Sequence, residues 1–367
     1  MRHRLEYEIS MGYGVSLTKY QPSLQINLGA WLPFYRKRIV SNLGLLIFRA
    51  IGYGRGGSGA TVAVVQVKSG YKRSVDLARF VAAFGIVWDH ARAPYADIGY
   101  TALALFLVLT SFLAVGSFER SDGRGFWISR AQRIMLPWLV WCAFYRVVFE
   151  YMSNEPARLL SDPWTLLIGP SVHLWFLPFV MIFLVTIPWV SRFIDRPMRL
   201  NLAAVLLAMI AIPLGLMHAK LAPAAWFITE AQFPQPLPQW FYSLPLFWFG
   251  AILAAGKRMG LVWPVIAAAA IVSVVLYARV PEFASVQMIL VAVLFEAVWR
   301  VNITGKWPTW LAGFAFGIYL LHPFAMLVAF KIFGPEVDRS AAALFGFGLA
   351  WAITAALQRI PGINRFA

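Results

Sequence analysis

The chain has 367 residues, of which 60% are hydrophobic and only 13% charged, whereas soluble domains carry about a quarter charged residues; a soluble globule is therefore excluded. A formal charge of +16 would suggest a nucleic-acid partner in a soluble protein, but at this hydrophobicity it points to membrane topology. The single cysteine, Cys142, removes any disulfide framework or multi-cysteine metal site, and no metal-ligand set is legible elsewhere.

Residues 1–70 are basic: 11 of the 32 Lys and Arg residues fall at or before Arg73. Gly52 to Gly59 is glycine-rich, and no signal-peptide core follows the first cations. Two readings stay open, a disordered cytoplasmic tail or an overlong gene start, with Val65 or Val67 as the alternative beginning. Ile39 to Ile51, behind Arg36, Lys37 and Arg38, has the composition of an amphipathic surface helix.

From there on, stretches of about 20 apolar residues, enough to cross a bilayer as helix, follow one another almost without pause. Ten spans are predicted. They run near Val75 to Ala93, Ile98 to Phe118, Phe126 to Tyr151, His173 to Val190, Met198 to Met217, Gln239 to Ala255, Leu261 to Ala278, Phe283 to Val301, Thr309 to Ile332 and Ser340 to Leu357. Charges, Pro and Gly punctuate them. Loops on the side of the N-terminal tail hold 13 Lys and Arg residues against 6 on the other side, which also carries Asp97, Glu155, Asp162, Glu230, Glu282, Glu336 and Asp338. The positive-inside rule then places both termini in the cytoplasm. The predicted fold class is all-α: a polytopic membrane protein of about ten transmembrane helices, N-in and C-in, with the membrane domain at 71–358 and a short cytoplasmic tail at 359–367.

Ionisable groups at membrane depth are costly and usually face a bundle interior or a wet cavity. The first span holds Arg79, Asp89 and His90. Arg79 and His90 are eleven residues apart, which puts them within roughly 20° of one face and about 16 Å apart along the axis. Snorkelling of Arg79 and a hydrogen-bonded core role for His90 are the alternatives. The third span opens with Arg130 and Arg133, one turn apart at the inner interface, where two guanidinium forks suit a phosphate group or anchor the helix. His173-Leu-Trp-Phe-Leu177 opens the fourth span, with Trp175 as interface belt or substrate contact. The ninth carries Tyr319 and His322, the latter before Pro323.

As a set, these residues resemble the acyltransferase-3 family of bacterial membrane O-acyltransferases, which modify extracytoplasmic glycans. The matching marks are Arg79 with His90, Arg130 and Arg133 followed by Pro137, the His173 to Leu177 segment, and Tyr319-Leu-Leu-His-Pro323. Their order and spacing cover roughly four fifths of the chain. One departure lies in the second span, which reads Leu107-Val-Leu-Thr-Ser-Phe112 where the family tends to have Gly in place of Ser111; close packing or pocket shape is expected to differ there.

The resemblance implies a multi-pass protein of the bacterial inner membrane that uses acyl-CoA, acetyl-CoA foremost, as a co-substrate from the cytoplasm, with no permanently bound cofactor. It implies a hydroxyl of a glycan or lipid-linked sugar as the external acceptor. Within it, His90 serves as general base or acyl carrier, Arg79 as its companion, and Arg130 and Arg133 as the coenzyme A clamp. Asp89, Trp175, Tyr319 and His322 are expected to bind substrate or support the site. Consecutive helical residues point about 100° apart, so an Asp89–His90 dyad requires the helix end to unwind. The rival reading is a transporter or flippase of a lipid-linked glycan, which leaves the absence of an internal repeat unexplained. No long Lys/Arg run supports a nucleic-acid partner.

Overall fold

The computed structural model describes residues 72–152, 169, 171–227 and 236–366; the expectations for residues 1–70, the Ile39 to Ile51 helix included, lie outside this range. Among the described residues there is no strand. Ten helical rods follow the predicted order: α1 Arg73–His90, α2 Ala96–Glu119, α3 Gly123–Met152, α4 His173–Phe193, α5 Pro197–Phe227, α6 Leu237–Met259, α7 Trp263–Arg279, α8 Phe283–Arg300, α9 Trp307–Phe333 and α10 Arg339–Leu357.

Seven of these rods are long and apolar enough to cross a membrane, and α7 is a shorter apolar helix. The remaining two, α1 and α6, carry polar cargo. In α1, Arg73, Asp76, Arg79 and Asp89 break the apolar run; in α6, Gln239, Ser243, Lys257 and Arg258 do so. Both are wrapped by other helices. α1 packs on α2, α9 and α10, and α6 packs on α2 and α5, so their polar groups meet protein rather than lipid.

The bundle is centred on α2, which touches α1, α4, α6 and α8. Small residues let these rods approach. A Cβ at Gly99 would strike the carbonyl of Gly85 on α1, and one at Gly250 would strike Val108 and Ser111 on α2. The departure at Ser111 is therefore absorbed from the opposite side. Ser111 is fully buried, its hydroxyl donates to the Val108 carbonyl at 3.2 Å, and Gly250 supplies the missing bulk allowance.

α3 and α5 instead turn Leu139, Val140, Leu202, Val205, Leu206 and Met209 outward, as lipid-facing rods do. Exposed aromatics gather in two bands: Trp189, Trp263, Trp307 and Trp310 at one end of the rods, and Tyr95, Tyr151, Tyr277 and Phe333 at the other. Such bands mark the two membrane interfaces. The tryptophan band coincides with the Arg-rich loops, hence with the inner side. There Arg258 pairs with Glu119 and donates to the Ile194 carbonyl at 2.8 Å, while Lys257 pairs with Glu296 at 2.7 Å and lies over the Trp299 ring at 5.3 Å. These contacts tie α6 to α2, α4 and α8.

Candidate active site

α3 is interrupted at Ala131–Met135 by a π-helical turn, in which the Leu136 amide reaches back five residues to the Ala131 carbonyl. Pro137, which has no N–H to continue the α ladder, follows immediately. The widened turn separates Arg130 from Arg133, so the two are not in ideal α register. Both nevertheless face one cavity of about 1000 Å³, the upper size of small-molecule sites (roughly 300–1,000 Å³).

Four arginines line that cavity: Arg79 from α1, Arg120 from the end of α2, and Arg130 and Arg133 from α3. Arg120 counts only as an inner-loop cation in the sequence, and spacing gives no hint that it joins the others. Arg130 lies over the Phe126 ring at 5.0 Å, and its Nε is buried without a hydrogen bond. Asp76 accepts from the Thr309 hydroxyl at 2.8 Å on the cavity wall, tying α1 to α9. The C-terminal turn Asn364–Phe366 also closes on this region: Asn364 lines the cavity, and Trp141 Nε1 donates to the Phe366 carbonyl at 2.8 Å. So dense a set of guanidiniums favours a polyanion such as a phosphate ester.

At the other depth three histidines from three rods converge. His90 closes α1, His173 opens α4, and His322 sits inside α9. The ring centres of His90 and His322 are 4.8 Å apart, and those of His173 and His322 are 5.2 Å apart, both edge to face. Arg79 is not in this group. It shares the stripe of unbroken α1 with His90 but stands on the cavity wall, about three turns below.

Each imidazole is oriented from behind. His90 Nδ1 is 2.9 Å from the Ile86 carbonyl and His322 Nδ1 is 2.7 Å from the Tyr319 carbonyl. A carbonyl can only accept, so Nδ1 is the donor in both rings and Nε2 is the nitrogen left free of this contact. The His322 arrangement grows from Pro323. Without an N–H at position 323, the Tyr319 carbonyl has no ladder partner, and the neighbouring imidazole takes it. Tyr145 repairs the next rung: its hydroxyl donates to the Leu320 carbonyl at 2.7 Å and accepts from the Phe324 amide at 3.3 Å.

His173 Nδ1 meets the Ser171 hydroxyl at 2.8 Å, and the Tyr319 hydroxyl donates to the His173 carbonyl. Nε2 of both His173 and His322 is fully buried with no hydrogen bond. His90 keeps 28% of its side chain exposed and Asp89 14%. The Asp89 carboxylate stands 3.9 Å from His90 Nδ1, outside hydrogen-bond range, and that nitrogen is already engaged by Ile86.

Among the residues singled out from the sequence, His90, Tyr319 and His322 thus meet at the histidine cluster, with Asp89 beside it, and Arg79, Arg130 and Arg133 meet at the cavity. Trp175 packs on Phe176 and Phe179 instead, at 6.1 and 5.9 Å. His173, two residues earlier in the same motif, is the member that enters the cluster. Its signal was a histidine opening an apolar span, a costly position that calls for a partner.

A bundle of apolar rods that holds an arginine-lined cavity at one depth and a cluster of three histidines at another is that of an integral-membrane protein. A family model for an acyltransferase domain matches residues 72–359. The chain belongs to the acyltransferase-3 family, and acyl transfer is the chemistry of that domain; this sets it ahead of transport for the same spans. No curated protein and no solved structure matches the chain.

Proposed function

We propose that the protein transfers an acetyl group from cytoplasmic acetyl-CoA to a hydroxyl of an extracytoplasmic glycan or lipid-linked sugar, in the bacterial inner membrane. One observation carries the reading. A cavity with four arginines at the inner end and a histidine cluster nearer the outer end share one bundle, with Phe106, Phe176 and Tyr319 packed between them. Coenzyme A has its phosphates at one end and its thioester at the end of a long arm, so it spans such a division. Arg120, Arg130 and Arg133 hold the phosphates, and Arg79 guides the arm deeper.

His90 is the base. Its Nε2 lone pair takes the proton of the acceptor hydroxyl as that oxygen attacks the thioester carbonyl. The new ester C–O bond forms, the C–S bond breaks, and the departing thiolate receives the proton from His90. His322 and His173 are positioning residues that hold the His90 ring and fill the space behind it, and Tyr319 anchors His173 through its carbonyl.

The test is mass spectrometry of surface glycan from cells with the gene, without it, and with His90→Ala at equal membrane abundance. Wild-type cells should show the added mass of an acetyl group on each modified sugar, and the other two strains should not. An unchanged glycan in all three would contradict the reading.

A further inference from the structure

The chain beyond α10 turns back to the arginine cavity. Pro361 and Gly362, the latter at φ +86°, make a tight turn closed by the Ile363 amide, which donates to the Ile360 carbonyl at 3.2 Å; only Gly adopts that positive φ without strain. Two hydrogen bonds then pin the segment to the bundle. Gln358 Nε2 donates to the Gly313 carbonyl of α9 at 2.9 Å, and Trp141 Nε1 of α3 donates to the Phe366 carbonyl at 2.8 Å. Trp141 is only 6% exposed, so the indole that holds the turn is itself fixed by packing. Between these pins Asn364–Phe366 packs against the π-helical stretch Ala131–Met135, and Asn364 lines the cavity together with Gln132 and Arg133 of that stretch.

We infer that Asn364 and Gln132 bind the nucleotide end of the acyl donor, and that Trp141 positions the turn that presents Asn364. The inference rests on the acyl-CoA reading above and adds what the four arginines cannot supply. A guanidinium carries donors and no acceptor, so the arginines match phosphates but leave the adenine amino group and the ribose hydroxyl without a partner. A carboxamide offers an acceptor oxygen as well as two donor hydrogens, and it adds no negative charge beside the phosphates. Asp76, the carboxylate on the same cavity wall, already accepts from the Thr309 hydroxyl. Gln132 and Asn364 are both exposed at the inner end, where a cytoplasmic donor enters. The nucleotide is the end of coenzyme A opposite the thioester, so the assignment holds wherever in the bundle the acyl group comes to rest.

The experiment needs no acceptor. Coenzyme A and phosphopantetheine, which keeps the arm and one phosphate but has no adenosine, are titrated calorimetrically into the purified full-length protein, the weaker ligand being read by displacement. Wild type should bind coenzyme A at least about tenfold more tightly, because the nucleotide adds charged and neutral hydrogen bonds. Asn364→Ala and Gln132→Ala should each weaken coenzyme A by roughly three- to tenfold, the worth of one or two neutral hydrogen bonds, and leave phosphopantetheine within about twofold. Their unfolding midpoints without ligand should match that of wild type, since both side chains are exposed.

Trp141→Phe keeps a ring in place and removes the N–H that holds the Phe366 carbonyl. It should weaken coenzyme A in the same direction by less and again spare phosphopantetheine, whereas a merely structural role would weaken both ligands alike. Unchanged coenzyme A affinity in Asn364→Ala or in Gln132→Ala, or an equal loss for the two ligands, would overturn the inference while leaving the donor reading intact. Failure of wild type to bind coenzyme A would overturn the donor reading, and this inference with it.

Discussion

Replacing Pro323 by Ala should make the protein more stable and less active at once. A proline in a helix interior costs about 3 kcal/mol relative to alanine. In α9 part of this is already offset: the His322 imidazole takes the Tyr319 carbonyl at 2.7 Å, and the Tyr145 hydroxyl bridges Leu320 and Phe324. Each such bond is worth about 1 kcal/mol net. In Pro323→Ala the new amide competes for the Tyr319 carbonyl, the repair by His322 becomes redundant, and a net gain of about 1–2 kcal/mol remains.

The same amide competes for the Tyr319 carbonyl that orients His322 Nδ1. The ring then loses one of the constraints on its tautomer and orientation, and the His90 ring 4.8 Å away loses part of its support. A misplacement of about 1 Å at a reacting group can cost 100-fold, so transfer should fall by roughly 10- to 100-fold. Unfolding of the detergent-purified variant gives the first quantity and the acyl-transfer rate the second. A variant that is less stable than wild type, or that keeps the full rate, would refute the coupling of Pro323 to His322.

Arg130→Ala with Arg133→Ala should weaken coenzyme A binding by about 10-fold or more, as charge-assisted bonds contribute roughly 1.5–3 kcal/mol each, and Lys at both positions should restore it only in part; calorimetry reads both. Glu296→Ala should destabilise the fold by about 3–5 kcal/mol, because it strands Lys257 in a site where both partners are 14% exposed; unfolding in detergent measures this, and a loss below 1 kcal/mol would show the pair to be dispensable. Gly250→Ala should cost about 1–3 kcal/mol through overpacking. Adding Ser111→Ala should not rescue it, since the Val108 carbonyl still blocks the new methyl; full rescue would place the clash on the hydroxyl alone. Tyr145→Phe should cost about 2–4 kcal/mol, because it strips a buried carbonyl and a buried amide of their shared partner, and an unfolding midpoint equal to that of wild type would contradict that bridge.

The spans and their order are legible in the sequence because crossing a bilayer demands one simple, local property, a long apolar run. The breaks between spans match the rods closely at Glu119 and Gly123 and at Arg300 and Trp307, whereas α5 runs on to Phe227, past the predicted end at Met217. What the bundle adds is lateral. No spacing along the chain says that the end of α1, the start of α4 and the middle of α9 meet, so His173 stands out only as part of a motif until His322 is placed beside it. Arg120 is similar: as a loop cation it serves topology, and only the fold of α2 against α3 makes it a cavity wall. The π turn before Pro137 and the imidazole that replaces a helical amide before Pro323 are both consequences of proline's missing N–H. They are readable as possibilities from the residue type, but which neighbour fills the gap is decided by packing.

The central claim is that donor and acceptor reach the site from opposite faces. Sealed, inverted membrane vesicles expose the cytoplasmic face, so acetyl-CoA labelled in the acetyl group and added outside them should label glycan in the lumen. Right-side-out vesicles given the same donor should show none, and His90→Ala should abolish the signal in inverted vesicles. Equal labelling from both vesicle orientations would contradict the division of the bundle into a donor cavity and an acceptor side.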